Sequence, residues 1–171
     1  DETRQIRDLA IRLAREAGAI QRDRYETDFQ IESKGAKIDL VTEVDRLCEE
    51  LIVNAIGEER PDDAILAEEG GGTDPPGAEW RWVVDPLDGT TNFAHGFPRF
   101  CVSIGVERNG ERQVGVVYDP LLDELYHAVR GGGAWLGERA LRVSDERRMD
   151  HALAATGFAY DIHRSEEDNL A

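Results

Sequence analysis

A chain of 171 residues with 20 Lys and Arg against 36 Asp and Glu carries a formal charge of −16, with 40% of its residues hydrophobic. That length is enough for one compact core without disulfides or a structural metal. The acidity excludes a nucleic-acid partner, because no run of Lys or Arg exceeds Arg147-Arg148, and no apolar run approaches the roughly 18 residues of a membrane span.

An anionic protein that handles an anionic phosphate needs something to invert the local field, and bound divalent cations do that. Cys48 and Cys101 are the only cysteines, one in a helical pattern and one opening a strand pattern. Two buried thiols rather than a bridge are expected, in a reducing, cytoplasmic setting.

In chain order, Ile6, Leu9, Ala10, Leu13, Ala14, Ala17 and Ile20 recur at helical spacing, with arginines falling largely between them. A second helix starts where Thr42 caps it and Asp45 follows three residues later. It continues through Val44, Leu47, Cys48, Leu51, Ile52, Ala55 and Ile56, and Gly57 and Pro61 are expected to end it. Strand patterns follow at 64–67, 80–84, 101–107, 113–118, 124–129, 141–143 and 152–156, separated by turn signals such as Asn109-Gly110 and Asp119-Pro120. Two helices before a run of hairpin-connected strands predict an α+β class, with the helices packed on a mostly antiparallel sheet. Near the end, Ser165 and Asp168 predict a helix opening at about residue 166, yet the sequence stops at Ala171 and does not begin with Met. It is therefore expected to be a fragment whose natural chain continues.

The chemistry concentrates between Glu68 and Asn92. Asp85 closes the apolar run Trp82-Val83-Val84 and precedes Pro86, which favours an extended backbone there. Asp88 follows in a tight turn, and the Leu87 carbonyl between the two carboxylates offers a third oxygen for a hard cation. Glu68 and Glu69 end the 64–67 strand and would arrive beside Asp85 if the two strands are neighbours. As bare dipeptides, Asp-Pro and Asp-Gly are ordinary turn residues. The following Gly89-Thr90-Thr91-Asn92 changes the balance, because Thr90 or Thr91 opens a short helix whose N–H groups would point at an anion.

The Asp85-to-Asn92 segment, followed by Phe93-Ala94-His95-Gly96-Phe97-Pro98 and Val102-Ser103-Ile104-Gly105, resembles the inositol monophosphatase family. The resemblance extends to Asp39-Leu40-Val41-Thr42-Glu43-Val44-Asp45, Ala67-Glu68-Glu69, Gly115-Val116-Val117-Tyr118 and a Gly131-to-Val143 hairpin. It implies that the chain is a single N-terminal domain of a longer phosphatase, the first half of a layered α/β sugar-phosphatase-like fold without its C-terminal portion. It further implies that Glu68, Asp85 and the Leu87 carbonyl hold one Mg²⁺, and that Asp85 and Asp88 share a second. Gly89 and Thr90 would offer backbone N–H groups to the phosphate, with Asp88 beside it. Thr90, hydrogen-bonded to Asp45, resembles the pair that helps deprotonate the attacking water, and Glu69 and Lys34 would act from behind or beside the ligands.

The physical logic supports two-metal, in-line hydrolysis. Coordination lowers the pKa of water, a second cation stabilises the departing alkoxide, and no Cys or Ser stands in a nucleophile motif. Three carboxylates against two Mg²⁺ leave a charge gap. The resemblance fills it with a Trp-Asp motif from the C-terminal half, a dipeptide this sequence does not contain. The chain alone is therefore expected to bind metal weakly and turn over poorly. The histidines His95, His127, His151 and His163 lack ligand spacing, so zinc is not expected. Phe93, Phe97 and Phe100 are expected in the core or a subunit interface, and the resemblance implies a homodimer.

The expected substrate is inositol monophosphate or a similar polyol phosphate. Histidinol phosphate or fructose 1,6-bisphosphate is the alternative ester, and a noncatalytic interaction protein that keeps the fold is the alternative class.

Overall fold

The computed structural model describes residues 1–27, 31–33 and 40–155. The expected helix near residue 166 and the loop carrying Lys34 lie outside the described residues.

Helix α1 (Glu2–Arg24) opens on Asp1, whose carboxylate accepts from the Thr3 amide. Its buried stripe is the expected one, from Ile6 to Ala17, and it ends on a polar residue, Gln21. Strands β1 (Ile31–Ser33) and β2 (Leu40–Thr42) form a separate antiparallel pair. Helix α2 (Glu43–Glu59) starts at the expected capping box: Thr42 Oγ1 accepts from the Val44 and Asp45 amides, and Asp45 Oδ2 accepts from the Thr42 amide at 2.8 Å. Gly57 does not stop the helix, which continues to Glu59. A glycine ends a helix by adopting a left-handed conformation, and Gly57 has no positive φ. Buried Ile56 on one side and the Arg60 guanidinium, bound to Asp63 and Glu2, on the other hold the last turn in place.

The main sheet has seven strands in sequential order: β3 (Ala64–Ala67), β4 (Trp80–Asp88), β5 (Cys101–Arg108), β6 (Glu111–Asp119), β7 (Glu124–Val129), β8 (Gly133–Leu136) and β9 (Arg139–Leu141). Only β3 and β4 are parallel. Helix α1 lies on β5, β6 and β7, and α2 on β3 and β4, so both helices cover the same face. The core forms there, from the helix stripes and the alternate residues Trp82, Val84, Val102, Ile104, Val106, Val114 and Val116. Trp82 is fully buried, and its indole N–H donates to buried Asp63 at 2.8 Å. The opposite face presents Leu66, Val83, Val117 and Tyr126 around Gly105, Gly115 and Ala128.

Two expected strands are corrected. At 141–143 only Leu141 is in a strand, because β8 and β9 pair as a hairpin one step earlier. Residues 152–155 have no regular structure and follow a single 3₁₀ turn at Met149–His151. Val143 and Leu153 are almost wholly exposed, so their apolar character finds no sheet neighbour to pack on.

Leu13 faces the sheet with no exposed surface, so Leu13→Ala is expected to destabilise the protein by about 2–5 kcal/mol. Leu122→Ala, at a half-exposed position, is expected to stay within about 0.5 kcal/mol in the same chemical denaturation series.

Candidate active site

Parallel pairing of β3 with β4 sets Ala67 against Val84, and the Glu68 amide donates to the Val84 carbonyl at 3.2 Å. Glu68 therefore leaves β3 next to Asp85. The expected neighbourhood of these two strands is what the structure shows.

The β4–β5 register then slips: Asp85 opposes Ser103, but Asp88 opposes Cys101, so β4 carries one extra residue between them. Pro86 has no N–H to give a ladder, and it lies within that bulge. In an unbroken strand, Asp85 and Asp88 would point to opposite faces. With the extra residue, Pro86 and Leu87 are both buried in succession and Asp88 returns to the open face with Asp85. The turn expected here is thus a bulge in a strand that runs to Asp88. Three bonds hold it. The Gln21 amide donates to the Pro86 carbonyl at 2.7 Å, the Leu87 amide donates to Asp85 Oδ1 at 3.2 Å, and the Thr90 hydroxyl lies 3.0 Å from the Leu87 carbonyl.

Gly89 has φ of 97°, and a Cβ there would lie 2.9 Å from the Arg99 carbonyl, so only glycine fits. Helix α3 (Thr90–Ala94) begins directly after it, as expected. Packing of Phe93 and Phe100 with Tyr25, just past the end of α1, anchors α3, while Phe97 is exposed. The Thr90 hydroxyl donates to Asp45 Oδ1 at 2.8 Å. Asp45 is almost fully buried, and its other oxygen accepts from the Thr42 amide and hydroxyl.

The carboxylates repel one another. Asp85 is pushed from 3.8 up to about 8, chiefly by burial, then by the charge of Glu68, a side-chain hydrogen bond with Glu68, and the charge of Asp88. Cys101, whose thiol donates weakly to Asp88, is raised to about 12 by burial and the same two aspartates. A groove of 1240 Å³ runs from Glu68 and Asp85 along the open sheet face past Val83, Gly105 and Arg112.

A model of the inositol monophosphatase family matches residues 2–171. The chain belongs to the inositol monophosphatase family. It is 46% identical to inositol monophosphatase 2 of Solanum lycopersicum, over 87% of this chain and 57% of that protein. Nus factor SuhB of Pasteurella multocida is 43% identical over 89% of this chain and 57% of its own length. The chain therefore spans little more than half of these relatives. Among solved structures, the inositol monophosphatase from Anabaena (Nostoc) sp. PCC 7120 superposes with a TM-score of 0.84 at 38% identity, covering 99% of this chain and 62% of that one. SaIMPase-II with bound inositol monophosphate gives 0.70 at 34% identity, covering 85% and 52%. An IMPase/NADP phosphatase holding Mg²⁺ and phosphate gives 0.73 at 25% identity, covering 82% and 53%.

The donors fit a divalent cation of this family. Glu68, Asp85, Asp88 and the Leu87 carbonyl are all hard oxygens, the type Mg²⁺ takes. The side-chain hydrogen bond with Glu68 favours the protonated form of Asp85, and a cation would compete with that proton. Among the described residues, no three His, Cys, Asp or Glu side chains close into a metal-holding group on their own.

Glu69, expected behind the ligands, gives its amide to Glu49. His95 is exposed, with Nδ1 2.8 Å from the Thr91 carbonyl, as a surface role requires. Cys48 and Cys101 are both free. Two supporting residues escape sequence reasoning, Gln21 and Glu49. Each is a polar residue extending an apolar helical stripe, and that misfit is the signal that finds them.

The direction of the Asp85 shift fixes a pH dependence. Its carboxyl is raised above the unfolded value, so the metal-free protein loses stability as pH climbs from about 4 towards 8. A cation held by Asp85 would compete with the same proton. Titration calorimetry in two buffers of different ionisation enthalpy is expected to show proton release on Mg²⁺ binding at pH 7 and tightening affinity up to about pH 8. Flat affinity across that range would show that Asp85 is already ionised. Gly89→Ala is expected to cost more than about 1 kcal/mol in thermal unfolding and to weaken Mg²⁺ binding, because Gly89 borders Asp88 and α3.

Proposed function

We propose that the protein is a Mg²⁺-dependent phosphomonoesterase acting on inositol monophosphate or a similar polyol phosphate. The observation that carries this reading is the Thr90–Asp45 bond of 2.8 Å next to the Glu68–Asp85 pair. The SaIMPase-II structure with inositol monophosphate and the Mg²⁺-and-phosphate structure support the substrate class and the cation.

In this reading Glu68, Asp85 and the Leu87 carbonyl hold one Mg²⁺, and Asp85 and Asp88 share a second. When bound, the two cations lower the pKa of an attacking water and stabilise the leaving alkoxide. The remaining work belongs to the chain. The Thr90 hydroxyl has one hydrogen and two acceptors within 3.0 Å, Asp45 Oδ1 and the Leu87 carbonyl. When that hydrogen goes to Asp45, the Thr90 lone pairs are left to accept from water, so the pair orients the water and draws on its proton. Gly89 and Thr90 belong to the opening turn of α3, whose N–H groups have no intrahelical acceptor, and they receive the phosphate oxygens. Glu68 also helps activate the water. Lys34 screens phosphate charge, and Glu69 supports Glu68 from behind.

The reading includes a cytoplasmic setting, supported by the two free thiols, and a homodimer. No helix among the described residues is long and apolar enough to cross a membrane.

Measured on the full-length protein, phosphate release from inositol monophosphate is expected to require Mg²⁺ and to fall by about 100-fold or more in Asp88→Asn. Undiminished activity in that variant would remove the metal assignment. Identity of 43% to a Nus factor favours a second reading, a noncatalytic interaction protein that keeps the fold. Mg²⁺ binding by the full-length protein without turnover of inositol monophosphate, histidinol phosphate or fructose 1,6-bisphosphate would decide for it.

A further inference from the structure

Helix α2 carries two buried acids one turn apart, Asp45 at 1% and Glu49 at 6% exposure. Asp45 reaches α3 through Thr90. Glu49 reaches the other side of the site: Oε2 accepts from the Glu69 amide at 2.6 Å, and Oε1 accepts from the Gly71 amide at 2.9 Å. Those amides belong to the turn that begins as Glu68 leaves β3. The backbone closes tightly around the carboxylate, since a Cβ on Gly71 would lie 2.8 Å from Glu49 Oε1. Among the described residues Glu49 forms no ion pair, so its charge is met by main-chain N–H groups. Charged acceptors make such bonds short and strong, and a buried carboxylate without them would be unfavourable.

We propose that Glu49 is a positioning residue for the metal site: by clamping the Glu69 and Gly71 amides it fixes the turn after β3 and so aims the Glu68 carboxylate at Asp85. The proposal rests on the metal-site reading above. Its physical content is that one rigid helix references both halves of the site. Four residues of α2 rise about 6 Å, and the two acids at that spacing grip α3 with its phosphate-facing turn and the β3 exit with its metal ligand. A role confined to loop stability predicts something different, a looser turn with unchanged affinity for a cation.

Glu49→Gln separates the two. It keeps the shape and one oxygen but turns an NH₂ towards one of the two amides, so one bond is lost. Amide hydrogen exchange is expected to speed up at Glu69 or Gly71, and the dissociation constant for Mn²⁺, measured by electron paramagnetic resonance on substrate-free protein, is expected to rise about tenfold. At saturating metal, kcat is expected to stay within about twofold, so the loss sits in metal affinity. Gly71→Ala presses on the same contact with Glu49 intact and is expected to weaken Mn²⁺ in the same direction. It keeps the test open if Glu49→Gln does not fold. Faster exchange with unchanged Mn²⁺ affinity in either folded variant overturns the proposal and leaves the site reading in place. Failure of the unaltered protein to bind Mn²⁺ overturns the site reading itself.

Discussion

Asp45 divides its two oxygens between the fold and the site. One accepts from the Thr42 amide and hydroxyl and closes the first turn of α2, and the other accepts from Thr90 at the start of α3. The group that starts the helix is therefore the group that orients the candidate water-binding hydroxyl. Because Asp45 is buried, neither bond competes with solvent, and the geometry of the cap is passed directly to the site. Weakening the cap and misplacing Thr90 are the same physical event in this protein.

The second constraint is the extra residue in β4. Alternation along a strand sends Asp85 and Asp88 to opposite faces, and a single inserted position reverses that. The arrangement concentrates negative charge at the sheet end, and the raised Asp85 registers the strain. Such a cluster is unfavourable in the metal-free protein. It persists because the surrounding parts are fixed independently, by Gln21 on Pro86, by Glu49 on the turn after Glu68, and by the Tyr25, Phe93 and Phe100 cluster under α3. Stability held elsewhere keeps the carboxylates together at the sheet end.

Much of this was legible in the residues. Thr42 and Asp45 spell a capping box, Asp85-Pro86 and Asp88-Gly89 mark a break in a strand, and the apolar stripes locate both helices. What stayed hidden depends on pairing partners far along the chain. The bulge exists only relative to β5, so local sequence shows a turn where the structure has a strand with one residue too many. Gln21 and Glu49 look like surface residues until the elements they bond are placed beside them. Gly57 reads as a helix stop but is overridden by Ile56 and Arg60. Val143 and Leu153 read as strand residues, yet no neighbour offers them a ladder.

The account turns on Glu68, Asp85, Asp88 and the Leu87 carbonyl acting as one donor set. The most direct test is a crystal of the protein soaked in Mn²⁺ and measured at the manganese absorption edge. The account predicts anomalous density between Glu68, Asp85 and the Leu87 carbonyl, with the Glu68–Asp85 hydrogen bond gone. Manganese bound only elsewhere, with that hydrogen bond intact, would contradict it.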